Sequence, residues 1–131
     1  MYKRIVIAVD ESDSAMRAVQ EGTALARALG GTVRFVHASH DPALATLALE
    51  RAAALARGAG VPSEGVALER ADASIAILEE VERWGADLVI VGSHARQGLE
   101  RLLFGSVSGD VVARSPVPVL VVRQPSVGPG L

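Results

Sequence analysis

The chain has 131 residues, half of them hydrophobic and 21% charged, which is the size and composition of one domain with a substantial core. Its formal net charge of -2 provides no basic footprint for nucleic acid, and the absence of cysteine excludes a disulfide framework or a thiolate metal site. Lys3-Arg4 precede only five apolar residues before Asp10, too few for a signal peptide or a membrane span, so a cytoplasmic protein is expected, with no membrane and no nucleic acid among its partners.

Aromatic residues are limited to Tyr2, Phe35, Trp84 and Phe104, so the core must be built from Ala, Val, Leu and Ile. Ile5 to Val9 is continuously apolar, the pattern of a strand buried on both faces of a parallel sheet. Ser12, Asp13 and Ser14 are all suitable N-caps for a helix with Ala15, Ala18, Val19, Gly22, Leu25, Ala26 and Leu29 on one stripe, ended by Gly30-Gly31. Thr32 to Ala38 reads as a second strand. Asp41 before Pro42 reads as an N-cap with proline in the first turn, opening a helix with Leu44, Leu47, Ala48, Ala52 and Leu55 on its apolar face.

After Gly58-Ala59-Gly60, Val66 to Glu69 is a weaker strand. Asp72 then caps a third helix carrying Ile75, Leu78 and Val81, which Gly85 terminates. Leu88 to Val91 is a fourth strand, a helix runs from about Ser106 to Arg114, and Val119 to Val122 forms a fifth strand. Residues 1–123 make up the domain, and the Pro- and Gly-rich residues 124–131 read as a flexible tail. This alternation predicts an α/β domain: an open, doubly wound, five-stranded parallel sheet with helices on both faces.

The most informative stretch is Leu88 to Ser108. An apolar run breaks at Gly92 into a polar loop, which ends in Gly105-Ser106-Val107-Ser108 at the start of a helix. Unpaired N–H groups and the dipole at a helix start favour an anion, and small residues let a phosphate approach the backbone. Arg96 and Arg101 flank the loop and could neutralise phosphate charge, or could equally be solvated. His37 and His40 are too few for a metal site. There is no Gly-Lys-Ser/Thr phosphate loop, no GxGxxG after the first strand and no Gly-x-Ser-x-Gly elbow. No dedicated base is apparent either, so the expectation is a binding protein with at most slow turnover.

Gly92-x-x-Ala95, nine residues, then Gly105-Ser106 resembles the nucleotide loop of the universal stress protein family, whose pattern is Gly, two residues, Gly, nine residues, Gly, then Ser or Thr. The chain departs from that pattern at Ala95, where the ATP-binding branch has its second glycine. Residues 85–94 and 116–122 also resemble the family, and the likeness runs from about Lys3 to Arg123.

The resemblance implies a Rossmann-like strand order 3-2-1-4-5, with the ligand at the switch point between the first and fourth strands. It implies that Gly105, Ser106, Val107 and Ser108 hold phosphates, with Gly92, His94 and Ala95 close to the ribose or phosphates. Asp10 would contact the adenine or ribose end, and Val36 and Ala38 would line the adenine pocket. The ligand implied is ATP, or ADP or AMP, with or without Mg²⁺. The implied biology is regulation in the stress response by a homodimer joined through its C-terminal edge strand, with an unknown protein partner.

Two alternatives follow from the same residues. Ala95 could mark a dimeric interaction module that keeps the fold and binds no nucleotide. A phospho-receiver domain would use Asp10-Glu11 as its acidic pair, Asp72 as acceptor and Ser93 as switch hydroxyl. That match is poor, because Asp72 lies far downstream of Asp10 and opens a helix, and Arg123 stands where a receiver has Lys.

Overall fold

The computed structural model describes residues 1–10, 13–38, 41–69, 72–93 and 106–123. Among these described residues, five strands, β1 (Arg4–Ala8), β2 (Thr32–Ala38), β3 (Ser63–Leu68), β4 (Leu88–Ser93) and β5 (Val119–Arg123), alternate with four helices, α1 (Asp13–Leu29), α2 (Pro42–Gly58), α3 (Ala73–Trp84) and α4 (Ser106–Arg114). The strands form one parallel sheet in the order β3-β2-β1-β4-β5, as the resemblance implied. β1 is central, with Ile5 opposite Val33 on one side and Leu88 on the other.

Alternation along the strands divides the core between two faces. Ile5, Ile7, Val33, Phe35, Leu88 and Ile90 pack under Ala18, Val19 and Ala26 of α1 and Ala48, Ala52 and Ala56 of α2. Val6, Val36, Val89 and Val91 pack under Ile77 and Val81 of α3 and Val111 of α4. Burial on both sides explains why β1 and β4 read as unbroken apolar runs.

The first face is a close contact between small residues. A Cβ on Gly22 would lie 2.5 Å from Ile7 Cδ1, so glycine there lets α1 sit low on the sheet. In α2 the buried stripe is Ala45, Ala48, Ala52 and Ala56. Leu44 and Leu47, expected on the apolar face, are instead exposed, because the alanines face the sheet and those leucines lie off that stripe. Ile75 is corrected in the same way: α3 buries Ala76, Ile77, Glu80 and Val81, and Ile75 lies outside.

Asp41 caps α2 as expected, accepting from Ala43 N at 3.0 Å and Leu44 N at 3.3 Å, with Pro42 in the first turn. Gly85 ends α3 in the left-handed conformation at φ 75°, which glycine adopts without a Cβ clash. β3 runs Ser63–Leu68 rather than Val66 to Glu69, and its polar residues reflect its place at the sheet edge, where none of its residues is fully buried. Among the described residues, no helix is long and apolar enough to cross a membrane.

Candidate nucleotide site at the carboxyl end of the sheet

All five strands point the same way, so their carboxyl ends and the starts of the helices share one edge of the sheet. The order reverses between β1 and β4: the chain leaves β1 toward β2 on one side and returns through α3 to β4 on the other. The connections that follow these two neighbouring strands run to opposite sides, which in open α/β sheets is where ligands bind. Asp10 leaves β1 at this point and Gly92-Ser93 closes β4.

α4 starts beside the end of β4. The Ser108 hydroxyl donates to the Gly92 carbonyl at 2.7 Å, fastening the first turn of α4 to the end of β4. That hydroxyl therefore uses its proton within the protein and offers its lone pairs to any further partner. Val107 and Ser108 are half-buried. N–H groups in the first turn of a helix have no intrahelical acceptor as a rule, and such a turn favours an anion.

The other expected residues divide into two groups. Val36 is buried beneath α3 and α4, and its carbonyl accepts from Val9 N at 2.9 Å, which carries the β1–β2 pairing one residue past β1. Ala38 ends β2 and is half-buried, and Asp10 is exposed. His94, Ala95, Gly105, Arg96, Arg101, Ser12, His40, the Ser106 side chain and the tail 124–131 lie outside the described residues.

Ser93 was not among the expected nucleotide ligands. It is fully buried at the carboxyl end of β4, on the face covered by α3 and α4, and its Oγ has no hydrogen-bond partner among the described residues. An unpaired buried hydroxyl costs about 1–3 kcal/mol in lost hydration. In the sequence it stands directly after Gly92, where the apolar run ends, and figures only as the switch hydroxyl of the receiver alternative.

Asp72 caps α3, accepting from Ile75 N at 3.2 Å and from the Ser74 hydroxyl at 2.7 Å. Those hydrogen bonds, Ser74 first, hold its carboxyl below the usual aspartate range, and the Arg114 charge adds to the effect. Asp72 thus opens a helix rather than standing as an acceptor at the end of a strand. The Ser74 hydroxyl also lies 3.4 Å from Asp110 Oδ2 of α4. Neither Ser74 nor Asp110 stood out in the sequence, because their relation depends on how α3 packs against α4.

The universal stress protein family model matches residues 1–56 and 41–123. The chain belongs to the universal stress protein family. A universal stress protein of Thermus aquaticus is 36% identical over 138 residues, covering 94% of this chain and 100% of its own length. A universal stress protein solved in complex with cAMP is 31% identical, covers 93% of this chain and 97% of its own, and superposes with a TM-score of 0.78. The universal stress protein from Archaeoglobus fulgidus solved with dAMP is 28% identical, covers 92% and 98%, and has a TM-score of 0.77. Membership in this family, together with Asp72 in a helix cap, displaces the phospho-receiver alternative.

Proposed function

We propose that this universal stress protein binds an adenine nucleotide between the carboxyl ends of β1 and β4. The observation that carries the reading is the bond from Ser108 to Gly92, which holds a helix start against the end of β4 at the switch point. Family members solved with cAMP and dAMP support an adenylate as the ligand class. In this reading the first turn of α4 and Gly105 meet the phosphates, with His94 and Ala95 alongside. Asp10 meets the ribose, and the end of β2 at Val36 and Ala38 borders the base. The buried hydroxyl of Ser93 fits a site that a polar ligand or its water completes.

ATP with Mg²⁺ is the fuller form of the proposal, and the role is regulatory binding in the cytoplasmic stress response. β5 is an edge strand with Leu120 exposed and no charge before Arg123, which suits pairing with a second copy. A dimer in sedimentation at micromolar concentration is the expected result, and a monomer would contradict it.

The test is calorimetric titration of the nucleotide-free chain with AMP, and with ATP and Mg²⁺. Saturable binding that Gly105→Asp weakens at least about tenfold is expected, since a carboxylate would then face the phosphates. Unchanged affinity in that variant would sink the loop assignment. Ala95 favours a second reading, the interaction module without nucleotide. No binding up to millimolar concentrations, restored by Ala95→Gly, would establish that alanine as the lesion.

A further inference from the structure

We infer that Ser74 and Asp110 are positioning residues: their contact sets where the α4 N-terminal turn lies, and through it the affinity of the nucleotide site. The affinity half rests on the nucleotide reading above; the placement half does not.

α4 has nine residues, too few to be stable as an isolated helix, so its position depends on what it touches. Val111 is fully buried among the core residues of that face and holds the helix laterally. At its start, Ser108 is tied to Gly92. Asp110 and Arg114, four residues apart and so on one side of the helix, are both coupled to the start of α3. Asp110 lies 3.4 Å from Ser74 Oγ, and the Arg114 charge acts on Asp72.

Ser74 is 1% exposed; its single proton goes chiefly to Asp72 Oδ1 at 2.7 Å, with Asp110 Oδ2 at the outer limit of hydrogen bonding at 3.4 Å. One buried hydroxyl thus joins the cap of α3 to the second turn of α4. Asp110 lies one helical turn from Ser106, so a shift of α4 that breaks this contact carries residues 106–108 with it. Hydrogen bonds to a phosphate weaken steeply with misplacement, so the shift would be read as lost affinity although neither residue touches the ligand.

The experiment uses the full chain with Ser74→Ala, Asp110→Ala and Asp110→Asn. Ser74→Ala deletes one buried atom and adds none. Alanine is a better helix former than aspartate, so propensity alone would slow amide exchange in Asp110→Ala. The expected result is the opposite: amides of residues 110–112, which close the first turns of α4, exchange about tenfold faster in both alanine variants while β1 and β4 amides keep their protection. AMP binding by calorimetry should weaken about fivefold in both, the equivalent of one ordinary hydrogen bond. Asp110→Asn keeps an acceptor oxygen and should stay within about twofold of the parent in both measurements.

Unchanged α4 exchange in the alanine variants overturns the inference whether or not nucleotide binds. Faster exchange with unchanged AMP affinity overturns the positioning role. A parent chain that binds neither AMP nor ATP refutes the nucleotide reading instead, and the exchange data still decide the placement.

Discussion

At the amino end of the sheet, polar groups are matched to one another. The Asp87 carboxylate accepts from Lys3 N at 2.9 Å and Arg4 N at 3.1 Å, and Arg4 Nη1 donates to the Trp84 carbonyl at 2.7 Å. The Arg34 guanidinium sits 4.6 Å from the centre of the Trp84 ring. It is also shared between Glu64 and the buried Glu80, and Glu80 bonds Arg83 as well. At the carboxyl end, where β1 and β4 part, Ser93 is buried without a hydrogen-bond partner among the described residues, and α4 begins beside Gly92. The first end consumes its charges in holding strands to helices. At the second, helix starts are capped by Asp41 and Asp72 and Ser108 is tied to Gly92, but the Ser93 hydroxyl is left unmatched among the described residues.

The contrast is broken most forcefully at Glu80. Removing its carboxylate leaves Arg34 half-compensated by Glu64 and opens a cavity, while Arg83 remains exposed to water. Glu80→Ala should cost about 2–3 kcal/mol in urea unfolding, below the ~3–5 kcal/mol of fully orphaning a buried charge. A loss under about 0.5 kcal/mol would mean that the network contributes nothing net.

The same carboxylate should appear in the acid limb of the stability profile. Burial raises its pKa, but hydrogen bonds from Arg83 and Arg34 outweigh burial and hold it below the ordinary glutamate value of 4.5. A depressed folded pKa gives stability that is complete above the unfolded value and is lost as pH falls through the folded one. Thermal midpoints of the parent chain should therefore fall as pH drops below about 4.5, and Glu80→Gln should flatten that decline. Parallel profiles for parent and variant would remove Glu80 from the acid response.

The elements were legible because strong local signals agree with the fold. Asp41-Pro42, Asp72 and Gly85 mark helix ends by backbone chemistry that tertiary contacts do not override. β2 and α4 were readable to the residue, and the strand order came from the family resemblance rather than from periodicity. Leu44, Leu47 and Ile75 misled because alanine also counts as apolar. Two stripes then compete on one helix, and the one that faces the sheet is chosen by close packing, which hydrophobicity does not encode. In the candidate site, the end of β4 at Gly92 and the start of α4 at Ser106 could be placed from the sequence pattern. The burial of Ser93 and the contact between Ser74 and Asp110 could not, since each depends on which element covers which.

The smallest expected effect is the one that sharpens the comparison most. Ser93→Ala deletes a hydroxyl that is fully buried and without a hydrogen-bond partner among the described residues, and leaves the surrounding volume nearly unchanged. At the amino end, deleting a polar group removes a partner from another group and so destabilises. Here no partner is orphaned and the desolvation cost of the hydroxyl disappears, so the nucleotide-free chain should gain up to about 1 kcal/mol. Urea unfolding without ligand measures the gain. A loss of about 1 kcal/mol would show that Ser93 is hydrogen-bonded in solution, and the two ends would then differ in openness but not in how their polar groups are satisfied. If the gain is found, AMP should stabilise the variant less than the parent, because the share of binding free energy that a ligand draws from the Ser93 hydroxyl is lost with it.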